Sequence, residues 1–314
     1  MARFVSLSTA VDLLKSGGIV AVPSETVYGL CGNAFNARAV HAIFKAKQRP
    51  PVNPLIAHYA SYDMVAKDVV LTSRAAQLMK RFSPGPLTLV LEKLPQSCLA
   101  DNMSSGLRTA AVRIPEHPVF RKLLGMCDFP LAAPSANKAG TLSPTKAEHV
   151  WKTLPDIPIV EGAPPFLGVE STIVDVREEK KPVLLRSGSL TADVIEEFLG
   201  LSLLHPPSTK DKKTIFYSPG LLPRHYSPTK SLRLNAQSVL KEEGLLAFGP
   251  TPLQGAGVTL NLSCSGNLVE AAQHFFAFLH KLDQAPCEGI AVMTIPQEGL
   301  GVALNDRLKR AVTP

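Results

Sequence analysis

Short apolar runs separated by helix-length amphipathic stretches dominate the first two-thirds of this chain. Ile19–Val22, Leu55–His58, Leu87–Leu91, Thr109–Ile114, Leu131–Ala133, Ser171–Val176 and Val183–Arg186 are each three to six residues long and mostly apolar. Runs of that length read as buried strands. Between them the spacing predicts helices over Ala37–Lys47, Ser73–Phe82 and His117–Leu124. A further helix is expected to open at an N-cap, Ser8, and to end at Gly17-Gly18. Strands interleaved with helices call for an α/β fold with a sizeable sheet.

The pattern breaks at His205–Lys230. Five prolines there exclude a helix or a central strand. This stretch also holds five basic residues against one acidic, and two of the chain's five tyrosines. A plain spacer needs no aromatic and cationic groups together, whereas a segment that folds over a ligand uses both. A smaller α/β pattern follows. Gly244–Gly249 and Gly289–Met293 read as strands, Leu268–Leu282 and Gly301–Ala311 as helices. In the first of those helices Val269, Ala272, Phe276 and Leu279 mark the expected apolar face. The division expected is a unit over 1–205, a basic linker over 206–230 and a second unit over 231–314.

Charge and cysteines narrow the function. The net charge is +7, which suits an anionic ligand such as a nucleotide and would also suit weak RNA contact. The five cysteines form no CxxC pair, so neither a disulfide framework nor a structural zinc site is expected, and a reducing cytoplasm is the natural setting. No apolar run approaches the roughly 18 residues of a membrane span, and no partnership with a membrane is expected.

Polar residues gather where apolar strands end, the position at which open α/β sheets hold ligands. Ile19–Val22 leads into Pro23-Ser24-Glu25-Thr26, and Leu131–Ala133 into Pro134-Ser135-Ala136-Asn137. Helix 37–47 ends in Lys47-Gln48-Arg49, with Asn53 beyond it. Arg113 lies within a strand and calls for an anionic partner. The chain has no Walker A, GxGxxG, HExxH or GxSxG pattern. Hydroxyls, amides and guanidiniums in this arrangement suit binding and charge neutralisation better than covalent catalysis.

Taken together, PSETVYGL (Pro23–Leu30), IFKAKQRPPVNPL (Ile43–Leu55), APSANKAGTLSPT (Ala133–Thr145) and GVESTIVD (Gly168–Asp175) resemble the signature blocks of the Sua5/YciO/YrdC family. SPGLLPRHYSP (Ser218–Pro228) and GLGVALNDRLKRA (Gly299–Ala311) resemble its longer Sua5 branch. The resemblance implies a twisted, open mixed α/β sheet with a concave basic face, followed by a smaller Rossmann-like α/β domain. It implies L-threonylcarbamoyladenylate synthase activity, making threonylcarbamoyl-AMP and pyrophosphate from L-threonine, bicarbonate and ATP, with Mg2+ accompanying the nucleotide. The implied downstream partner is a transferase complex that moves the threonylcarbamoyl group to adenosine 37 of tRNA.

Residue by residue, the resemblance assigns Lys47, Arg49, Asn53, Thr109, Ser135, Asn137, Ser143, Arg186 and Tyr226 to ATP. Lys47 and Arg49 would stabilise phosphate charge, and Tyr226 would close over the nucleotide. Thr26, His58, Arg113 and Ser171 fall to L-threonine, with Arg113 suited to its carboxylate. No residue is assigned as general acid or base, and no metal ligand is assigned. Two departures from the family pattern stand out. Pro164-Pro165 replace the usual glycines before Gly168 and are expected to stiffen that loop. Lys138 stands where small or acidic residues are usual, and is expected either to add a phosphate contact or to lie exposed. Two other readings are open at this level: a basic RNA-binding module, and a relative that uses carbamoyl phosphate.

Overall fold

The computed structural model describes residues 4–206 and 225–312. Much of the expected linker, including Tyr217 and Arg224, lies outside the described residues.

Ten strands make one mixed sheet: β1 (Phe4–Val5), β2 (Val20–Pro23), β3 (Tyr28–Asn33), β4 (Ile56–His58), β5 (Leu87–Glu92), β6 (Thr109–Arg113), β7 (Leu131–Ala132), β8 (Ile159–Val160), β9 (Thr172–Asp175) and β10 (Val183–Arg186). Their order is β1-β8-β2-β3-β7-β4-β6-β5-β9-β10. Parallel and antiparallel pairs alternate irregularly; β4 runs parallel to β6, for example, while β5 runs antiparallel to it. Helices α1 (Leu7–Lys15), α2 (Ala37–Lys47), α3 (Tyr62–Val65), α4 (Ser73–Phe82), α5 (Pro118–Gly125), α6 (Ala147–Thr153) and α7 (Ala192–Leu199) accompany the sheet. The first of these departs from expectation at its start. Its N-cap is Ser6, whose side chain accepts from the Thr9 amide, and Ser8 lies inside the helix.

The second unit is an all-parallel four-stranded sheet of β11 (Ser231–Arg233), β12 (Glu243–Ala247), β13 (Val258–Asn261) and β14 (Gly289–Val292), ordered β11-β14-β12-β13. It carries α8 (Leu268–Gln284) and α9 (Leu300–Ala311). The buried face of α8 runs through Ala272, Phe275, Phe276 and Leu279, but Val269 is 53% exposed and does not belong to it. Val269 follows the N-cap Asn267 closely and sits on the solvent side of the first turn.

The apolar core of the second unit does not stop at its own sheet. Val27, Leu142 and Val169 of the first unit belong to the same buried cluster as Phe275, Phe276 and Leu304. A histidine pair spans the same boundary. His149 of α6 stacks on His280 of α8, with ring centroids 3.7 Å apart. The Thr145 amide donates to His149 Nδ1 (3.2 Å), and His280 Nε2 pairs with the Ser143 carbonyl (3.1 Å). Burial, reinforced by His280, Lys146 and Lys152, pushes His149 down to about 2, and burial pushes His280 down to about 4.

Both rings are therefore neutral in the fold and bind fewer protons than the unfolded chain below about pH 6.5. Their contribution to stability is complete above that pH and is lost as pH falls toward 4 and then 2. The slope is up to about 1.4 kcal/mol per pH unit for each histidine. Urea unfolding at pH 7.5, 6 and 5 should show a stability that drops steadily below pH 6.5. A flat profile over that range would contradict the packing described.

Candidate functional site

The polar clusters around the first sheet converge on one cavity of about 50 Å³. Its lining includes Thr26, Arg49, His58, Arg113, Ser135, Glu170, Ser171, Arg186, His225 and Tyr226. Ile56 and His58, two residues apart on β4, both face it. The cavity therefore lies over a face of the sheet as well as at strand ends.

Helix α2 ends at Gln48, whose left-handed backbone (φ 52°) turns the chain so that Lys47 and Arg49 both enter this region. Neither is the solvated surface cation that a Lys-x-Arg sequence commonly provides, because both are buried. Lys47 Nζ donates to the carbonyls of Ser135 (2.5 Å) and Asn137 (2.6 Å). Arg49 donates to the carbonyls of Asn53 and Pro54, both at 2.9 Å. Arg186, at the end of β10, donates to the Ser171 carbonyl and, at 3.1 Å, to its hydroxyl.

Among the described residues none of these three cations forms an ion pair within 4 Å. Burial holds Lys47 well below its usual pKa, with Arg49 adding to the effect. Burial likewise lowers Arg49 to about 9, and Arg186 below its ordinary value. Three buried cations satisfied only by neutral oxygens make a basin that favours an anion.

Unpartnered polar atoms cluster around the same basin. Asn53 Nδ2 and Oδ1, Asn137 Oδ1, His225 Nδ1 and the Tyr226 hydroxyl are buried with no hydrogen-bond partner among the described residues; Thr109 Oγ1 is likewise unpartnered, at the start of β6. Buried polar atoms are nearly always bonded, so such a cluster is a set of groups shaped for a ligand. Lys47, Asn53 and Ser143 do not line the cavity but bond to Ser135, Arg49 and Glu170, which do; Asn137 and Thr109 are not among the lining residues, and Thr109 sits at the far end of β6, opposite Glu92.

His225 and Tyr226 fill part of the basin. Tyr226 adopts φ 63° and is buried. The turn is tied down on both sides: the Ser227 amide donates to the Gly140 carbonyl (2.8 Å), and Ser227 Oγ donates to the Ala311 carbonyl (3.1 Å). The remaining volume holds a few waters at most.

At the other end of the cavity, Arg113 is not free. Its Nη2 donates to Glu25 Oε1 at 2.6 Å, and both Nη atoms reach Thr26 Oγ1 at 3.3 Å. Burial alone would raise the Glu25 carboxyl, but the Arg113 guanidinium holds it below its usual value. The strand arginine thus has the anionic partner that its burial requires, and that partner belongs to the protein. His58 stacks on Phe120 (5.2 Å), and burial, with help from Arg113, pushes it down to about 3. It is a neutral imidazole at neutral pH. Ser171 Oγ lies 2.8 Å from Thr88 Oγ1.

The loop that holds Pro164-Pro165 crosses the same region, and the amides of Phe166 and Leu167 both donate to the Glu25 carbonyl. Lys138 is exposed. Sequence reasoning gave no role to Glu25, Glu170 or Arg307, although Glu25 stood in one of the strand-end polar groups. All three lie within blocks that carry the family resemblance, but the contacts that matter span 88 and 137 residues of chain.

A family model described as Telomere recombination (Sua5_yciO_yrdC) matches residues 12–188. The chain belongs to the Sua5/YciO/YrdC family. A second model, described as Threonylcarbamoyl-AMP synthase, C-terminal domain, matches residues 190–313, which makes this a two-domain, Sua5-type member. The chain is 36% identical to a threonylcarbamoyl-AMP synthase of Pyrococcus abyssi, over 96% of this chain and 92% of that one. It is 37% identical to one of Bacillus subtilis, over 97% and 92%. The crystal structure of P. abyssi Sua5 complexed with L-threonine superposes with a TM-score of 0.88 at 34% identity, covering 98% of this chain and 94% of that one. The likeness to E. coli YciO, at 20% identity and a TM-score of 0.53 over 60% of this chain and 96% of that one, concerns the fold alone.

Proposed function

We propose that this family member is a threonylcarbamoyl-AMP synthase that uses L-threonine, bicarbonate and ATP. The observation that carries the reading is the basin itself: Lys47, Arg49 and Arg186 buried with no ion pair within 4 Å among the described residues, beside unpartnered atoms of Asn53, Asn137 and Tyr226. A triphosphate supplies the missing negative charge and the missing acceptors. Ser135 and Ser143 complete the proposed nucleotide set. Thr26, His58, Arg113 and Ser171 form the proposed amino-acid end, and all four line one cavity. Because Arg113 is committed to Glu25, only part of its guanidinium is left for a substrate carboxylate.

The reaction then divides into two steps. Bicarbonate loses hydroxide to give CO2, the unprotonated threonine amine forms a C–N bond to that carbon, and the hydroxide takes the amine proton, leaving a carbamate and water. A carbamate oxygen attacks the α-phosphorus, the bond to the β-phosphate oxygen breaks, and pyrophosphate leaves. The chain's work is to hold the reactants together and to offset charge on the leaving group. His58 is too weak a base at neutral pH to drive proton transfer and is assigned a positioning role. Magnesium is proposed to arrive with the nucleotide. Entry of ATP requires His225 and Tyr226 to leave the basin, and Tyr226 is then proposed to close over the nucleotide.

This reading keeps 1–205 as the catalytic unit, 206–230 as the covering linker and 231–314 as the second unit. It sets the enzyme in the cytosol, with its five cysteines reduced. Among the described residues no helix is long and apolar enough to cross a membrane. Consumption of the adenylate by a tRNA-modifying transferase belongs to the same proposal. The test is product identity. With 13C-bicarbonate, mass spectrometry should find threonylcarbamoyl-AMP carrying a single heavy carbon. An adenylate without that label would overturn the carbamate step.

A further inference from the structure

Among the described residues, one side chain of the second unit forms an ion pair with a carboxylate of the basin. Arg307 of α9 is fully buried. Its Nε donates to Glu170 Oε2 at 3.2 Å, and its Nη1 donates to the Ser187 carbonyl at 2.6 Å. The guanidinium also lies 5.3 Å from the centre of the Tyr226 ring.

Glu170 is the one carboxylate among the described residues lining the cavity. Its Oε1 accepts from Ser143 Oγ at 2.5 Å, and it lies within electrostatic reach of Lys47 and Arg186. A carboxylate placed among cations that bind phosphate competes with the phosphate for them.

The main chain around Glu170 is held from two sides. Gly168 adopts φ 80°, and a Cβ there would come within 2.1 Å of the Ala272 carbonyl oxygen of α8. A Cβ on Gly188 would come within 2.4 Å of the Glu170 carbonyl oxygen. With the backbone fixed so closely, the direction of the carboxylate depends on its side-chain partners.

We propose that Arg307 is a positioning residue for adenylate formation: it engages Glu170 and backs the Tyr226 ring, so that Lys47 and Arg186 stay available to the triphosphate. The second unit thereby controls nucleotide affinity through a single ion pair across the boundary between the units. The proposal rests on the nucleotide reading given above.

The test uses the full-length chain and four forms: wild type, R307M, R307K and the double variant R307M/E170Q. ATP binding is measured by calorimetry without threonine, and pyrophosphate release is resolved into kcat and the KM for ATP. R307M should weaken ATP binding about tenfold and raise the KM for ATP in step. R307K, which keeps the charge but loses the planar fork, should weaken it less. The double variant should recover most of the lost affinity, because the competing carboxylate is gone; coupling of this size is usual for contacting charges.

Unchanged ATP binding in R307M overturns the proposal. So does a double variant as weak as R307M, because a purely structural loss would not be repaired by removing the partner charge. Should R307M fail to fold, R307K with and without E170Q carries the same comparison. A wild-type chain that binds no ATP overturns the nucleotide reading itself, and the proposal with it.

Discussion

Lys47→Met is expected to lower threonine-dependent pyrophosphate release by about 100-fold to 1000-fold, the usual cost of removing a preorganised group that stabilises developing charge. Methionine keeps most of the buried stem and suits the end of helix α2, so the substitution mainly removes the ammonium. Two functions go with it. The basin loses one of its three buried cations, and the Ser135–Asn137 turn loses the donor that joins its two carbonyls to α2.

Stability should change far less than activity. Deleting an ammonium that burial already holds well below its usual pKa relieves a desolvation cost, whereas two carbonyls lose their donor. The opposing terms should leave a net change within about 2 kcal/mol. Measuring the rate and the urea midpoint on the same preparation separates the two effects. A folded variant with a near-normal rate would remove Lys47 from the phosphate site.

Arg113→Met should act on stability as strongly as on activity. The Glu25–Arg113 pair is buried on both sides, at 2.6 Å. Removing the cation leaves a buried carboxylate without its counter-charge, which typically costs about 3–5 kcal/mol. The double variant R113M/E25Q should recover most of that loss, because no uncompensated charge remains. Threonine-dependent turnover should stay low in both, since the donors to Thr26 and toward the amino-acid end are gone. If R113M were as stable as wild type, the buried pair would be of no energetic consequence. If the double variant regained activity, Arg113 would be a structural residue only.

The sheet was largely legible because burial on both faces leaves short continuous apolar runs, and Leu87–Glu92 and Thr109–Arg113 are such runs. Strand β3 escaped notice because YGLCGN holds two glycines and no β-branched residue. Its glycines follow from packing: a Cβ on Gly32 would meet Ile43 of α2 at 3.1 Å. The short helix α6 went unseen for a similar reason. Only His149 and Val150 of its seven residues are buried, too few to set a period.

The sequence singled out Lys-x-Arg and Ser-x-Asn because each is local, and the fold brings them together, with Lys47 donating to the Ser135 and Asn137 carbonyls. The site was not legible where partners come from far along the chain. The burial of Arg113 announced the need for an anion, but nothing in periodicity points to Glu25 rather than to a substrate. Glu170 and Arg307 meet only because α9 packs across the boundary, and that geometry belongs to tertiary structure alone.

The central claim is that one basin joins L-threonine to ATP. Its most direct test is pyrophosphate release by the full-length chain with ATP, Mg2+ and bicarbonate, with L-threonine present, absent or replaced by L-serine. The account predicts release that requires L-threonine and falls sharply with serine, which lacks the methyl group. Release independent of the amino acid, or none at all from folded protein, would contradict it.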